Sequence, residues 1–115
     1  MNIARHLISD TESISFAMQR LNTLGDELTL FVVNGDGKLL GTVTDGDIRR
    51  GLLKRLRLDD RVSDCMNASF KFLKQSDTRP DKIQEYKLLG IKLLPVLDSS
   101  HRIVHILNLD TQATI

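Results

Sequence analysis

The sequence has few of the residues that make some folds and functions easy to see. It has one cysteine, Cys65, in 115 residues. No disulfide can form within the chain, and an oxidising compartment is not implied. Tryptophan is absent, and four Phe and one Tyr are all the aromatics. The core must therefore come from Leu, Ile and Val. No apolar run approaches the roughly 20 residues that span a bilayer, and the first ten residues, MNIARHLISD, lack the apolar stretch of a signal peptide. The expected location is cytoplasmic, with no membrane partner. Neither sign of charge dominates: the formal net charge is +1, which argues against generic nucleic-acid binding. The three histidines, His6, His101 and His105, show no metal-ligand spacing, and Cys65 has no nearby partner, so no metal site is expected. No P-loop, dinucleotide fingerprint or Ser-His-Asp pattern occurs. Catalysis by this chain alone is not expected.

What remains is ordinary for a globular protein, with 41% hydrophobic and 27% charged residues. Ser9 with Glu12 resembles a capping box, and Ser13 is an equally good cap. Ile14, Ala17, Met18, Leu21 and Leu24 recur at helical spacing before Gly25, which predicts a helix over 13–24. A strand is expected over Leu28–Val33, a hairpin turn at Asn34-Gly35-Asp36-Gly37, and a returning strand over Leu39–Thr44. Asp47 then reads as the cap of a second helix over 48–56. In the second half a strand is expected over Ala68–Leu73. A helix capped by Asp77 or Thr78 comes next, with Pro80 in its first turn and Ile83, Tyr86 and Leu89 as its stripe. Strands over Leu93–Leu97 and Ile103–Leu107 flank the turn Asp98-Ser99-Ser100-His101.

The two halves rhyme. At an offset of 64 residues, Phe31-Val32-Val33-Asn34 falls on Pro95-Val96-Leu97-Asp98, and Lys38-Leu39-Leu40 on Arg102-Ile103-Val104. One gap further back, Gly25 falls on Gly90. Such self-similarity means two copies of one small unit, here residues 1–58 and 59–115. Each copy reads helix, strand, turn, strand, helix. A unit of this size buries little surface alone, so the two are expected to share one core.

The candidate site is the stretch Gly41-Thr42-Val43-Thr44-Asp45-Gly46-Asp47-Ile48-Arg49-Arg50. Thr44 ends a strand and Asp47 opens a helix, where ligands of small α/β units tend to sit. The Asp47 carboxylate can accept from both hydroxyls of a ribose. The Thr44 hydroxyl can bond a phosphate or ribose oxygen, Gly46 permits close backbone approach, and Arg49 and Arg50 can neutralise phosphate. Ile8, Ile14, Val43 and Ile48 are candidate walls for a purine. Arg49, Arg50, Lys54, Arg55 and Arg57 form a basic cluster whose simplest reading is a solvated face. In the second copy Thr44 becomes Asn108 and Asp47 becomes Thr111, with Asp110 one residue early. Asn108 can still bond a ligand, but at most one well-formed site is expected.

The order helix, LFVVNGDGKLLGTVTDGDI, helix resembles a cystathionine-β-synthase (CBS) domain, and two tandem copies resemble a CBS pair, or Bateman module. Arg61-Val62-Ser63-Asp64-Cys65-Met66 is similar to the stretch that commonly opens a second copy. The resemblance implies an α/β (α+β) fold, with a small sheet and two helices per copy packed as a pseudo-twofold pair. It implies clefts that take an adenine nucleotide (AMP, ADP or ATP) or S-adenosylmethionine, with Thr44 and Asp47 at the ribose- and phosphate-contacting positions; Asp45, Gly46, Ile48, Arg49, Arg50 and Asn108 complete the candidate ligand-binding set. It also implies a homodimer through the helices. GTVTDGDIRRGLLKRL followed by the Val-Ser-Asp opening is similar to CBS pairs attached to sugar-phosphate nucleotidyltransferases. On that resemblance the chain is the regulatory segment preceding a covalently attached catalytic domain; the alternative is a ligand-free dimerisation module of a larger enzyme.

Overall fold

The computed structural model describes residues 3–25 and 29–115. The chain forms two compact units, Ala4–Phe70 and Lys71–Ile115, with Ile3 grouped with the second. Each has its own small sheet.

A 3-10 turn at Ile3–His6 leads into the first unit, which holds β1 (Leu7–Ser9), α1 (Ile14–Leu24), β2 (Leu30–Val33), β3 (Leu39–Val43) and α2 (Asp45–Leu53). The sheet order is β1-β2-β3, with β1 parallel to β2 and β2 antiparallel to β3. Ser13 caps α1, its Oγ accepting from the Phe16 N–H at 3.0 Å. Of the two caps expected, the structure uses Ser13; Ser9 instead bonds Thr11. Ile14, Ala17, Leu21 and Leu24 of α1 are buried against Leu30, Val32 and Val43 of the sheet. Met18, at the edge of this stripe, is exposed. The expected strand start at Leu28 lies outside the described residues. β1 escapes a periodicity reading because three residues show no period. It is held by its parallel pairing to β2 and by Arg20 of α1, whose guanidinium donates to the Leu7 carbonyl at 2.8 Å and the Arg5 carbonyl at 2.9 Å.

After α2 the chain doubles back. The Ile14 N–H donates to the Asp60 carbonyl and the Val62 N–H to the Glu12 carbonyl. A 3-10 turn at Val62–Asp64 comes next, and Asn67 exchanges two backbone hydrogen bonds with Thr42 of β3 at 2.8 and 3.0 Å. The Val-Ser-Asp-Cys-Met-Asn stretch thus lies along β3 and α2.

The second unit holds β4 (Leu73–Lys74), α3 (Pro80–Leu88), β5 (Leu93–Leu97), β6 (Ile103–Asn108) and β7 (Ala113–Thr114), in sheet order β4-β5-β6-β7. Every residue of β5 is buried. The strand expected over Ala68–Leu73 shrinks to Leu73–Lys74, paired in parallel with Val96 and Leu97; the alternation of ASFKFL carries no ladder before Leu73. Pro80 sits in the first turn of α3 as expected, but neither Asp77 nor Thr78 caps it. The cap position is Arg79, with no side-chain bond. The Asp77 carboxylate is taken by the Lys82 ammonium and the Arg79 guanidinium, both at 2.9 Å. The Lys82 hydrogen bond lowers the Asp77 pKa, against desolvation and with help from Arg79.

The largest departure concerns helix number. The fold is mixed α and β, with two small sheets and three α-helices among the described residues. Two helices per copy are expected from the resemblance, but among the described residues α3 is the only α-helix in the second unit. After β6 the chain turns at 109–112 and enters β7, an edge strand on β6. Gln112 takes a left-handed φ of 62° there, which an α-helix cannot continue.

Candidate functional site

The stretch that joins β3 to α2 departs from expectation in a way that matters for chemistry. α2 begins at Asp45 and ends at Leu53, against the expected 48–56. Thr44 is the N-cap, and Asp47 is the third helical residue. The two form a reciprocal capping box. The Thr44 Oγ1 accepts from the Asp47 N–H at 3.4 Å, while Asp47 Oδ2 accepts from the Thr44 N–H at 3.0 Å and from the Thr44 hydroxyl at 3.1 Å. The other carboxylate oxygen, Oδ1, accepts from the Arg50 guanidinium at 2.8 Å. The Asp47 side chain is only 13% exposed, while that of Arg50 is 60% exposed. A carboxylate has about four lone-pair directions. Three are used within the turn, and the remaining one is on Oδ1, beside the guanidinium.

Helical geometry divides the other expected site residues. Asp47, Arg50 and Gly51 of α2 and its C-cap residue Lys54 stand at helical spacing along one stripe. They line a recess of about 440 Å³ whose other walls are Leu56, Asp64, Cys65, Met66 and Asn67. Asp45, Ile48 and Arg49 face a separate groove of about 310 Å³ with Met18, Leu52 and Leu53. Gly46 lies under the Arg50 guanidinium: a Cβ added there would meet Nη1 at 3.1 Å. Ile8, Ile14 and Val43, considered as purine walls, are buried in the core of the first unit, and so is Ile48 except where it meets the second groove. Asn108 belongs to the second unit. Its Oδ1 accepts from the Asp110 and Thr111 N–H groups at 3.0 and 3.1 Å.

The structure therefore brings Thr44, Asp47 and Arg50 together, with Gly46 beneath them. It turns Asp45 and Arg49 to another face. The basic cluster is likewise split: Arg50 and Lys54 face the recess, Arg49 the groove, and Arg57 pairs with Asp59 at 3.4 Å.

Recess residues not considered from sequence as ligand contacts are Gly51, Leu56, Asp64, Met66 and Asn67, and Lys54 enters the sequence reading only through the basic cluster. A signal for Gly51 and Lys54 is present in the helical spacing from Asp47. Gly51 is buried, and a Cβ there would meet Cys65 Cβ and Leu56 Cδ1 at 3.0 Å. Cys65 is half-buried; desolvation first, then the charges of Asp47 and Asp64, push its thiol pKa up to about 11. Among the described residues no group of three or more His, Cys, Asp or Glu side chains gathers to hold a metal ion. No helix among them is long and apolar enough to cross a membrane.

Residues 6–54 match the family model of the CBS domain, a span that contains β1, both helices of the first unit and the Thr44–Asp47 turn. No curated protein matches the chain. Solved structures share its fold across both units. The CBS domains of a transcriptional regulator from Streptococcus pneumoniae superpose with a TM-score of 0.75 at 13% identity, covering 96% of this chain and 88% of that one. CBSX2 in complex with AMP gives 0.72 at 22% identity, covering 90% and 80%. CbpB from Listeria monocytogenes in complex with c-di-AMP gives 0.72 at 21% identity, covering 89% and 78%. The chain thus has the fold of a tandem CBS-domain pair.

Proposed function

We propose that this chain is a regulatory module that senses an adenine nucleotide (AMP, ADP or ATP). The carrying observation is the Thr44–Asp47 turn: a hydroxyl and a carboxylate held together at a strand end, the carboxylate lining a recess with Arg50 and Lys54. The Asp47 carboxylate takes the ribose hydroxyls, the Thr44 oxygen, whose proton is donated to Asp47, accepts from a ribose hydroxyl, and Arg50 takes the phosphate. Proteins of the same fold solved with AMP and with c-di-AMP support this reading. In it the module works in the cytoplasm as a homodimer through its helices. It is covalently attached to a catalytic domain, a sugar-phosphate nucleotidyltransferase, whose sequence resemblance rests on GTVTDGDIRRGLLKRL. Binding biases that domain only insofar as the nucleotide binds two of its states unequally.

Isothermal titration with AMP, ADP, ATP, GTP and nucleotide sugars tests the reading. Saturable binding of an adenine nucleotide is expected, and its loss in Asp47→Asn, which keeps an oxygen for the Thr44 N–H. Binding that survives in Asp47→Asn would move the site elsewhere. A second reading, a ligand-free dimerisation module, is favoured by the same capping box, because Thr44 and Asp47 satisfy each other without a ligand. It is adopted if no nucleotide at millimolar concentration shifts the melting temperature.

A further inference from the structure

The geometry points to Arg50 as a latch on the nucleotide site, an inference that rests on the nucleotide-binding reading above. Two observations carry it. The first is the hydrogen-bond count on Asp47. Oδ2 is filled by the Thr44 N–H and hydroxyl, and Oδ1 holds the Arg50 guanidinium at 2.8 Å. A ribose offers two hydroxyl donors, and a single free lone-pair direction cannot accept both. A ribose therefore reaches Asp47 bidentately only when Arg50 lets go. The second is the absence of a side chain at residue 46. Nη1 and Nη2 of Arg50 lie 3.1 and 3.4 Å from the place a Cβ would occupy on Gly46. Glycine leaves the space in which the guanidinium reaches back along the helix to Oδ1.

The latch is weak by construction. The Arg50 side chain is 60% exposed, and an exposed pair three residues apart on a helix holds little free energy. A ribose displaces it readily. The displaced guanidinium stays at the rim of a recess that Lys54 also lines, where an anionic group on the same ligand gives it a new partner. Arg50 thus opposes a nucleoside and favours a nucleotide. It converts an ordinary ribose site into one that discriminates by phosphate, without any residue dedicated to the phosphate alone.

Titration calorimetry of adenosine and AMP against the wild-type chain, Arg50→Ala and Gly46→Ala tests this, with circular dichroism to check the fold. In Arg50→Ala the adenosine affinity rises about two- to fivefold, the factor an exposed pair is worth. AMP affinity falls by roughly tenfold through loss of a charge-assisted bond. In Gly46→Ala, which crowds the guanidinium but keeps its charge, adenosine affinity rises by a smaller factor and AMP affinity falls by less than in Arg50→Ala. The opposite signs for adenosine and AMP are the signature, because a residue that only stabilises the helix moves both together and a pure phosphate ligand leaves adenosine unchanged. AMP binding by the wild type with adenosine affinity unchanged in both variants overturns the latch and leaves the nucleotide reading standing. Failure of adenosine and AMP to bind wild type or either variant overturns both.

Discussion

The two units agree at one turn and part at the next, and the contrast separates what a repeat preserves from what it can lose. At the hairpin they are the same object. Asn34 Oδ1 accepts from the Asp36 and Lys38 N–H groups at 2.9 and 3.0 Å, and Asp98 Oδ1 accepts from Ser100 and Arg102 at 2.9 and 3.0 Å. Gly37 and His101 take left-handed φ values of 81° and 64° at corresponding positions. The register shifts after Val32 in one sheet and after Val96 in the other. At the strand end the first hydrogen bond is still shared: Thr44 and Asn108 each accept from the N–H three residues on. Past that bond the two units diverge. Thr44 opens α2, whereas Asn108 opens a turn into β7. A side chain that caps a turn does not by itself make a helix; the residues after it must continue one. Asp47 completes a box with Thr44, and Thr111 has no carboxylate to do so.

The sharpest way to break the comparison is through the helices. Every inward residue of α1 is buried, while α3 has none that is fully buried. Leu21→Ala is expected to destabilise by about 2–5 kcal/mol and Ile83→Ala by about 1 kcal/mol, read as the shift in urea midpoint at constant slope. Equal effects would show that α3 packs as tightly as α1. Next comes the position before the turn. Gly41 is crowded: a Cβ there would meet Met66 Sδ at 2.7 Å and the Asn67 carbonyl oxygen at 2.9 Å. Gly41→Ala is expected to cost about 1–3 kcal/mol as overpacking. His105 stands at the matching position of the second unit and is exposed, so His105→Ala should lie within about 0.5 kcal/mol of wild type. Thermal unfolding of the two variants side by side checks this pair.

The caps give a smaller difference. Thr44→Ala removes an N-cap and half of a capping box, for an expected loss of about 1 kcal/mol. Asn108→Ala releases a turn leading only to the exposed two-residue β7, and is expected to change global stability by under about 0.5 kcal/mol. Hydrogen exchange separates the two: Asn108→Ala should speed exchange at the β6–β7 pairing, while Thr44→Ala should speed it in the first turn of α2. Exchange unchanged in Asn108→Ala at the Ile115 N–H, which donates to the Ile106 carbonyl at 2.7 Å, would mean that β7 does not depend on the turn.

These contrasts also mark how far the sequence alone can be read. The hairpins, the span of α1, the Gly25 cap and the offset of 64 are legible, because each is written in neighbouring residues. So is the CBS-like fold, carried by the first copy. β1 and β4 are not, since strands of two or three residues have no period and exist only through their partners. The missing second helix of the second unit is not, because Leu109-Asp110-Thr111-Gln112 contains no breaker to announce the turn. At the site, Thr44, Asp47 and Arg50 stand out by residue type, but residue type treats each as if it faced a ligand alone. It makes Asp47 the cap, and the structure gives that place to Thr44. A rule based on residue types identifies groups that can hydrogen-bond; only the fold shows that they have already bonded one another.

Cys65 offers a reporter confined to the first unit, since it is the one cysteine and lines the recess beside Asp47. Its thiol pKa is raised to about 11, first by desolvation and then by the charges of Asp47 and Asp64. For an acid whose folded value lies above its ordinary value of 9.0, folding favours the protonated thiol. The resulting stability is present in full below pH 9.0 and fades as pH rises toward 11. The reactive species is the thiolate. Alkylation of the native chain by iodoacetamide is therefore expected to be slow at about pH 8 and to rise steadily through about pH 10, while the urea-unfolded chain reaches its half-maximal rate near the ordinary value. Asp47→Asn removes one raising charge without touching the sulfur, so its alkylation profile should move to lower pH than that of wild type. A profile that stays in place would mean that the Asp47 charge is not felt across the recess, and that the thiol is governed by burial and Asp64 alone.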